Sequence, residues 1–159
     1  MTGQNTAAHE LSITRLIDAS PETVYKVWTE RAGEWWAPRP YTTPMVDWDL
    51  RPGGRAYTMM RSPDGTDMPH EGVFLEVVPS RRIVLTDAFG PDWIPQEAFM
   101  VAVFTFEPEG AGTRYTARVR HWSDEAMKRH EQMGFHEGWG IVAAQLADLA
   151  EGRPVASAA

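Results

Sequence analysis

Six short segments with strand character follow one another in the middle of the chain, and turn sequences separate several of them at hairpin spacing. The predicted strands are residues 45–50, 55–61, 71–78, 82–89, 99–107 and 113–121. Arg51-Pro52-Gly53-Gly54 and Ser62-Pro63-Asp64-Gly65 are typical turn sequences. Parallel strands would need long crossover connections, so this spacing predicts an antiparallel meander.

A strand and a helix are predicted before the meander. Residues 9–17 alternate imperfectly between apolar and polar side chains, which favours a strand. The sequence Ser20-Pro21-Glu22 places a capping serine, a proline and an acidic residue where a helix would begin. This helix is predicted to end near residue 33, before a second short helical turn.

One long helix is predicted after the meander. Ser123 can cap its first turn, and the helix should continue to about residue 151. A narrow apolar stripe with helical spacing consists of Phe135, Trp139, Val142, Leu146 and Leu149. Gly134, Gly138 and Gly140 each cost about 1 kcal/mol relative to alanine inside a helix. We therefore expect a kink, or a close approach of backbone or ligand, within residues 133–140.

This order of elements indicates a single α+β domain over residues 9–152, with flexible tails at 1–8 and 153–159. The net charge of −7 argues against binding to nucleic acid, which requires clustered Lys and Arg. The absence of cysteine excludes disulfides and thiolate chemistry. No segment approaches the ~20 apolar residues of a membrane span, and the first ten residues do not resemble a signal peptide. The sequence therefore predicts a cytoplasmic protein without membrane insertion.

Several local sequences resemble the START-like superfamily, also called SRPBCC or Bet v 1-like. The opening Ser20-Pro21-Glu22-Thr23-Val24-Tyr25 and the later Trp35-Trp36-Ala37-Pro38 are similar to the branch named after the activator of the heat-shock-protein-90 ATPase. Asp49-Leu50-Arg51-Pro52-Gly53-Gly54-Arg55 and Met133-Gly134-Phe135 extend the similarity. The resemblance implies a helix-grip fold. In that fold a curved antiparallel sheet of about seven strands, in the order β-α-α-β6-α, wraps around a long C-terminal helix and leaves an apolar cavity.

Large, deformable side chains are the candidates for lining this cavity, because methionine and aromatic residues adapt to irregular partners. The set is Trp36, Met45, Trp48, Met60, Phe89, Trp93, Met127 and Ile141. Ordinary core packing is the alternative for each of them. Trp93 lies in a proline-bracketed loop that would form a lid, fold back on the domain or pair with another subunit.

Chemistry in the cavity would need a polar group there. His70 and Asp87 on predicted strands are the candidates for acid or base roles, and Arg118 could orient a carboxylate or carbonyl. The histidines lack the spacing of a metal site, so we predict neither a metal nor a cofactor. We interpret His130 as a helix-surface or capping residue.

These observations favour a noncatalytic protein that binds a small apolar or amphipathic molecule. The first alternative is an enzyme of the polyketide cyclase, aromatase or hydrolase type that uses the same cavity. The second is a chaperone-linked interaction protein, suggested by the name of the branch. Monomer and homodimer both remain open, because a meander leaves exposed strand edges.

Overall fold

The computed structural model describes residues 9–156, so residues 1–8 and 157–159 of the predicted tails lie outside the described residues. The strands are β1 (Glu10–Ile17), β2 (Thr42–Trp48), β3 (Ala56–Arg61), β4 (Asp67–His70), β5 (Val73–Val78), β6 (Arg82–Thr86), β7 (Phe89–Gly90), β8 (Ile94–Pro95), β9 (Met100–Glu109) and β10 (Gly112–His121). The helices are α1 (Pro21–Glu30), α2 (Ala32–Trp35), α3 (Asp124–Gln132) and α4 (Phe135–Ala150). This arrangement confirms the α+β helix-grip fold.

The strands form two main antiparallel sheets. The large sheet has the order β1-β10-β9-β6-β5, and the small sheet has the order β2-β3-β4. An isolated bridge between Arg55 and Val73 joins the two sheets, and the backbone N–H of Ala56 donates to the oxygen of Gly72. The small sheet is therefore a continuation of the large one along one edge.

The structure corrects two of the predicted strands and contains a further strand, β4. The segment 71–78 begins only at Val73, and the segment 82–89 ends at Thr86 before a separate two-strand hairpin of β7 and β8. Strand β4 was not predicted, because Pro69 argues against a strand interior. Pro69 is nevertheless compatible with a strand here, because β4 lies at the edge of the small sheet, where proline is tolerated.

The C-terminal helix is two helices. Ser123 caps α3 as predicted, since its Oγ accepts a hydrogen bond of 3.0 Å from the N–H of Ala126. The first helix ends at Gln132, and Gly134 adopts a φ of 94° before α4 begins. Glycine adopts this left-handed conformation without the steric cost that a β-carbon imposes. The expected irregularity near residues 133–140 is therefore a break in the helix.

Aromatic side chains from the helices and from the sheets form the centre of the core. Trp28 of α1 is fully buried, and its ring stacks on Trp48 at 4.8 Å and lies 5.0 Å from Phe104. Its Nε1–H donates to the hydroxyl of buried Tyr115 at 3.3 Å. This cluster fills the middle of the space between sheet and helices with side chains.

Residues 153–156 are held against the domain, although this segment was predicted to be flexible. Arg153 forms ion pairs with Asp148 and Glu151, and Val155 packs against the core. None of the helices within residues 9–156 is long and apolar enough to cross a membrane.

The β7–β8 hairpin rests on the turn between β2 and β3. Asp92 and Trp93 both have positive φ, 66° and 59°, so this hairpin needs support from its surroundings. A β-carbon built on Gly53, whose φ is 81°, would lie 2.8 Å from the ring of Trp93. Trp93 is thus folded back on the domain, while 52% of its surface stays exposed.

We expect Gly53→Ala to lower the free energy of unfolding by about 2–3 kcal/mol, measured by denaturant unfolding. About 1–2 kcal/mol comes from the left-handed backbone, and the remainder comes from displacing the Trp93 ring. Gly65→Ala is the matched control, because Gly65 has a φ of 90° and open space where the β-carbon would lie. Equal destabilisation by the two substitutions would show that the Trp93 contact contributes nothing.

Candidate ligand-binding groove

The small sheet presents its concave face toward the interior of the domain. Ala56 of β3 belongs to the buried core, and Thr58 and Met60 follow it at alternate positions on the same face. Ala56 is opposite Trp48 on β2, and Thr58 is opposite His70 on β4. Trp48, Met60 and His70 therefore share this concave face.

One flank of α4 is tied to the connection that leads into the small sheet. Helix α4 packs mainly on β1, α1 and α2. Its Gln145 donates to the backbone oxygens of Trp35 and Ala37, which directs this flank toward the connection that leads into β2. Gly138 and Ile141 lie on the same flank as Gln145, closer to the start of the helix. A β-carbon on Gly138 would meet nothing within 4 Å. We infer that this flank and the concave face of the small sheet border a groove, and we use that name below.

Aromatic rings form a continuous wall from the groove into the core. Trp36 contacts Trp48 with ring centroids 5.2 Å apart, and Trp36 lies 6.3 Å from Phe104. Phe104 stacks on Trp139 of α4 at 6.1 Å. Trp36, Trp48 and Trp139 are each half-buried, so part of each ring belongs to the core and part remains accessible.

Of the eight predicted lining residues, Trp36 and Trp48 are in ring contact, Met60 shares a sheet face with Trp48, and Ile141 lies on the flank of α4. Ile141 is 38% exposed, and the other three are half-buried. Met127 on α3 is half-buried and packs against the core.

The other three predicted lining residues lie elsewhere. Met45 is 51% exposed and pairs with Met59, on the face of the small sheet opposite Thr58, which removes it from the set. Phe89 and Trp93 contact each other at 5.8 Å within the β7–β8 hairpin.

His70 is exposed at the end of β4, the edge strand of the small sheet. Desolvation lowers the pKa of His70 below its ordinary value, and the nearby carboxylate of Asp87 partly opposes this effect. Asp87 also has a structural task, because its Oδ1 accepts hydrogen bonds from the backbone N–H groups of Phe99 and Met100 at 2.8 and 3.1 Å. The structure therefore places His70 and Asp87 near each other.

Arg118 does not join this pair. It alternates along β10 with the buried core residues Ala117 and Val119, so its side chain lies on the opposite face of the large sheet. There its Nη1 donates to the hydroxyl of Thr105 at 3.4 Å. Arg118 is thus outside the groove.

A buried histidine pair was missed by the sequence interpretation, which placed His130 on the helix surface. His130 is only 8% exposed, and its Nδ1 lies 2.9 Å from Nε2 of buried His121. The His130 ring also contacts Phe99, Phe135 and Trp139 at centroid distances of 5.0, 5.2 and 5.9 Å. Its position immediately before the helix break explains why helical spacing did not reveal this burial.

A separate hollow of about 320 Å³ lies at the α2–β2 connection. Its lining residues are Gly33, Glu34, Ala37, Arg39, Pro40, Tyr41, Thr42 and Thr43. None of the predicted site residues lines this hollow. Within residues 9–156, no group of three or more His, Asp or Glu side chains is arranged to hold a metal ion.

Comparison with known proteins gives a consistent family and fold. A sequence model of the family described as activator of Hsp90 ATPase homolog 1-like protein matches residues 18–151. A crystal structure from Nitrosomonas europaea is 37% identical with a TM-score of 0.87, and the match covers 91% of this chain and 96% of that one. A structure from Mycobacterium smegmatis is 27% identical with a TM-score of 0.75, covering 88% and 89% of the two chains.

The AHSA1 protein from Silicibacter pomeroyi has the same fold, with 23% identity, a TM-score of 0.69 and coverage of 89% and 97%. No curated protein matches the chain. The family model covers most of the chain, and the sequence resemblance to the START-like superfamily is confirmed. This chain belongs to the family of activator of Hsp90 ATPase homolog 1-like proteins.

Proposed function

We propose that the protein binds a small apolar or amphipathic molecule in the groove without transforming it. The observation that carries this proposal is the wall of half-buried Trp36, Trp48 and Trp139 beside the open space at Gly138. Covering apolar surface contributes roughly 25 cal/mol per Å², so a ligand that covers about 150 Å² of these rings would gain about 4 kcal/mol. The aromatic wall therefore supplies a driving force for a flat, apolar molecule to bind there.

The chemistry of the groove supports binding more than turnover. Asp87 is engaged by two backbone N–H groups, and Arg118 lies on the far side of the sheet. The enzyme alternative rests on the nearness of His70 to Asp87. It predicts that His70→Ala abolishes turnover of a bound compound while leaving its affinity nearly unchanged, whereas equal turnover in wild type and variant would remove this alternative.

The remaining sequence predictions accompany this proposal as expectations. They are a cytoplasmic location, a monomeric or homodimeric state, and the absence of a cofactor. The chaperone-linked role rests on the family's name. Copurification with a chaperone of the Hsp90 class would favour it over ligand binding.

The first experiment is native mass spectrometry of gently purified protein, followed by thermal-shift measurements with fatty acids, sterols, flavonoids and polyketide-like aromatics. A ligand that binds only the folded state raises its stability in a saturable way. A copurified mass or a saturable shift would support the proposal. An empty protein that no compound stabilises would contradict it.

A substitution that fills the groove should weaken ligand binding without lowering the stability of the fold. We expect Gly138→Leu to weaken binding of a hit compound at least tenfold, because the new side chain occupies the open space beside the aromatic wall. Stability should not fall, since leucine is a better helix former than glycine by about 0.5–1 kcal/mol. Isothermal titration calorimetry measures the affinity, and denaturant unfolding measures the stability.

Gly140→Leu is the matched control. Gly140 also lies within α4 with open space at its β-carbon position, but two residues along a helix from Gly138 correspond to a rotation of about 200°. The control should stabilise the helix equally and leave binding unchanged. Equal binding by both variants would place the ligand outside the groove.

A further inference from the structure

Two hydrogen bonds order the protons of the buried histidine pair. Nδ1 of His121 lies 2.9 Å from the backbone oxygen of His9, and Nε2 of His121 lies 2.9 Å from Nδ1 of His130. A carbonyl oxygen can only accept, so Nδ1 of His121 carries the hydrogen. Nε2 of neutral His121 is then an acceptor, and Nδ1 of His130 must donate to it. These two hydrogen bonds leave Nε2 of neutral His130 with a lone pair and no hydrogen.

The surroundings keep His130 neutral. Burial lowers the pKa of His130 to about 4, and the neighbouring His121 acts in the same direction. The aromatic rings of Phe99, Phe135 and Trp139 enclose the imidazole. At neutral pH its Nε2 is therefore an acceptor whose direction the hydrogen-bond chain determines.

This acceptor has no hydrogen-bond partner among residues 9–156. Two sealed side-chain atoms in the same part of the chain lack a partner, Nε1 of Trp35 and Oγ1 of Thr43, and Nε2 of His130 is not one of them. Nε2 of His130 is therefore not sealed from solvent. An oriented and unpaired acceptor in aromatic surroundings is costly unless a donor from solvent or ligand reaches it.

The acceptor lies at one end of the aromatic wall. The His130 ring contacts Trp139, which stacks on Phe104, and Phe104 in turn contacts Trp36. The half-buried faces of Trp36 and Trp139 suit a flat ring system, because aromatic surfaces stack in offset or edge-to-face arrangements. The wall and the acceptor together are complementary to a ligand that is aromatic along its length and carries a hydrogen-bond donor.

We propose that Nε2 of His130 is the polar subsite of the groove, where it accepts a hydrogen bond from the hydroxyl group of a neutral phenolic ligand. This inference rests on the proposed ligand-binding function and specifies its ligand class. A carboxylate is disfavoured at this position, because its oxygens would face the lone pair of His130.

The test compares 2-naphthol, 2-methoxynaphthalene and 2-naphthoate by isothermal titration calorimetry at pH 7.5. A net contribution of one neutral hydrogen bond corresponds to about 5–10-fold in affinity, so 2-naphthol should bind 5–10-fold more tightly than its methyl ether. The naphthoate should bind most weakly. The methyl ether has the same ring system and oxygen but lacks the donor, so the ratio isolates the hydrogen bond.

His130→Asn is the diagnostic variant. Asparagine can place an amide N–H near the position of Nδ1, which preserves the bond to His121, but it has no group at the position of Nε2. We expect the ratio between 2-naphthol and its ether, measured on this variant, to fall to within about twofold of one, whatever the absolute affinity of the ether. A variant that retains the wild-type ratio would overturn the subsite.

The outcomes distinguish this inference from the proposed function. If wild-type protein binds 2-naphthol and its ether equally, the subsite is wrong and groove binding stands. If none of the three compounds binds and the broader ligand panel also fails, both proposals fail. Two-bond ¹H–¹⁵N correlation spectra of the unliganded protein provide a readout that needs no variant. A hydrogen on Nε2 of His130 at neutral pH would refute the proposed acceptor.

Discussion

Replacing Gln145 with glutamate is expected to lower the free energy of unfolding by about 3–5 kcal/mol. Nε2 of this buried side chain donates to the backbone oxygens of Trp35 and Ala37 at 2.9 and 2.8 Å, and Oε1 accepts from the N–H of Arg39 at 3.0 Å. Glutamate has nearly the same shape, but its carboxylate has no hydrogen to donate. It would place a buried negative charge against two carbonyl oxygens.

Denaturant unfolding monitored by tryptophan fluorescence would measure this loss. Gln132→Glu provides the control, because Gln132 is exposed near the end of α3 and the same substitution there should change stability by no more than about 0.5 kcal/mol. A loss below 1 kcal/mol in Gln145→Glu would show that these three hydrogen bonds do not hold the α2 connection on α4. The result also bears on the groove, since this contact orients the flank that carries Gly138 and Ile141.

Acidification is expected to destabilise the wild-type protein more than a variant without the His130 imidazole. The pKa of His130 is lowered from 6.5 to about 4 in the folded protein. Between these values the unfolded chain binds a proton that the folded protein does not bind, so the free energy of unfolding decreases as the pH falls. The stabilising contribution is fully present above pH 6.5. Between pH 7 and pH 4 it should decrease by about 3 kcal/mol.

Urea unfolding of wild type, His130→Asn and His130→Phe across this pH range isolates the effect. The ion pairs of Asp and Glu weaken in all three proteins and cancel in the differences. Both variants should lose about 3 kcal/mol less than wild type between pH 7 and pH 4, although they differ in absolute stability. Parallel profiles for the three proteins would mean that His130 is protonated in the fold as readily as in the unfolded chain.

Local signals predicted the starts of α1 and α3 and most of the strands correctly. Ser20 and Ser123 act as N-caps because their hydroxyls satisfy backbone N–H groups within three residues of chain. The strands around residues 55–61 and 113–121 were apparent from alternation along a half-buried sheet. These features depend on neighbours in sequence, so the sequence contains the information that decides them.

The groove required information from distant parts of the chain. Met45 and Trp48 are both large apolar residues on β2, but pairing with β3 puts Trp48 opposite core residue Ala56 and Met45 on the other face. Met45 and Trp48 are three positions apart in regular register, so alternation puts their side chains on opposite faces. Strand pairing decides which of the two faces belongs to the core.

The sequence by itself determined the α+β class, the order of elements, the helix caps and the family, because hydrophobic periodicity, turn chemistry and short motifs are local. The tertiary structure alone decided that His130 is buried against His121, that α3 and α4 separate at Gly134, and that Trp139 of α4 stacks on Phe104 of β9. These features arise where residues far apart in sequence meet. Burial and proton placement depend on which groups meet there, and no local pattern encodes that pairing.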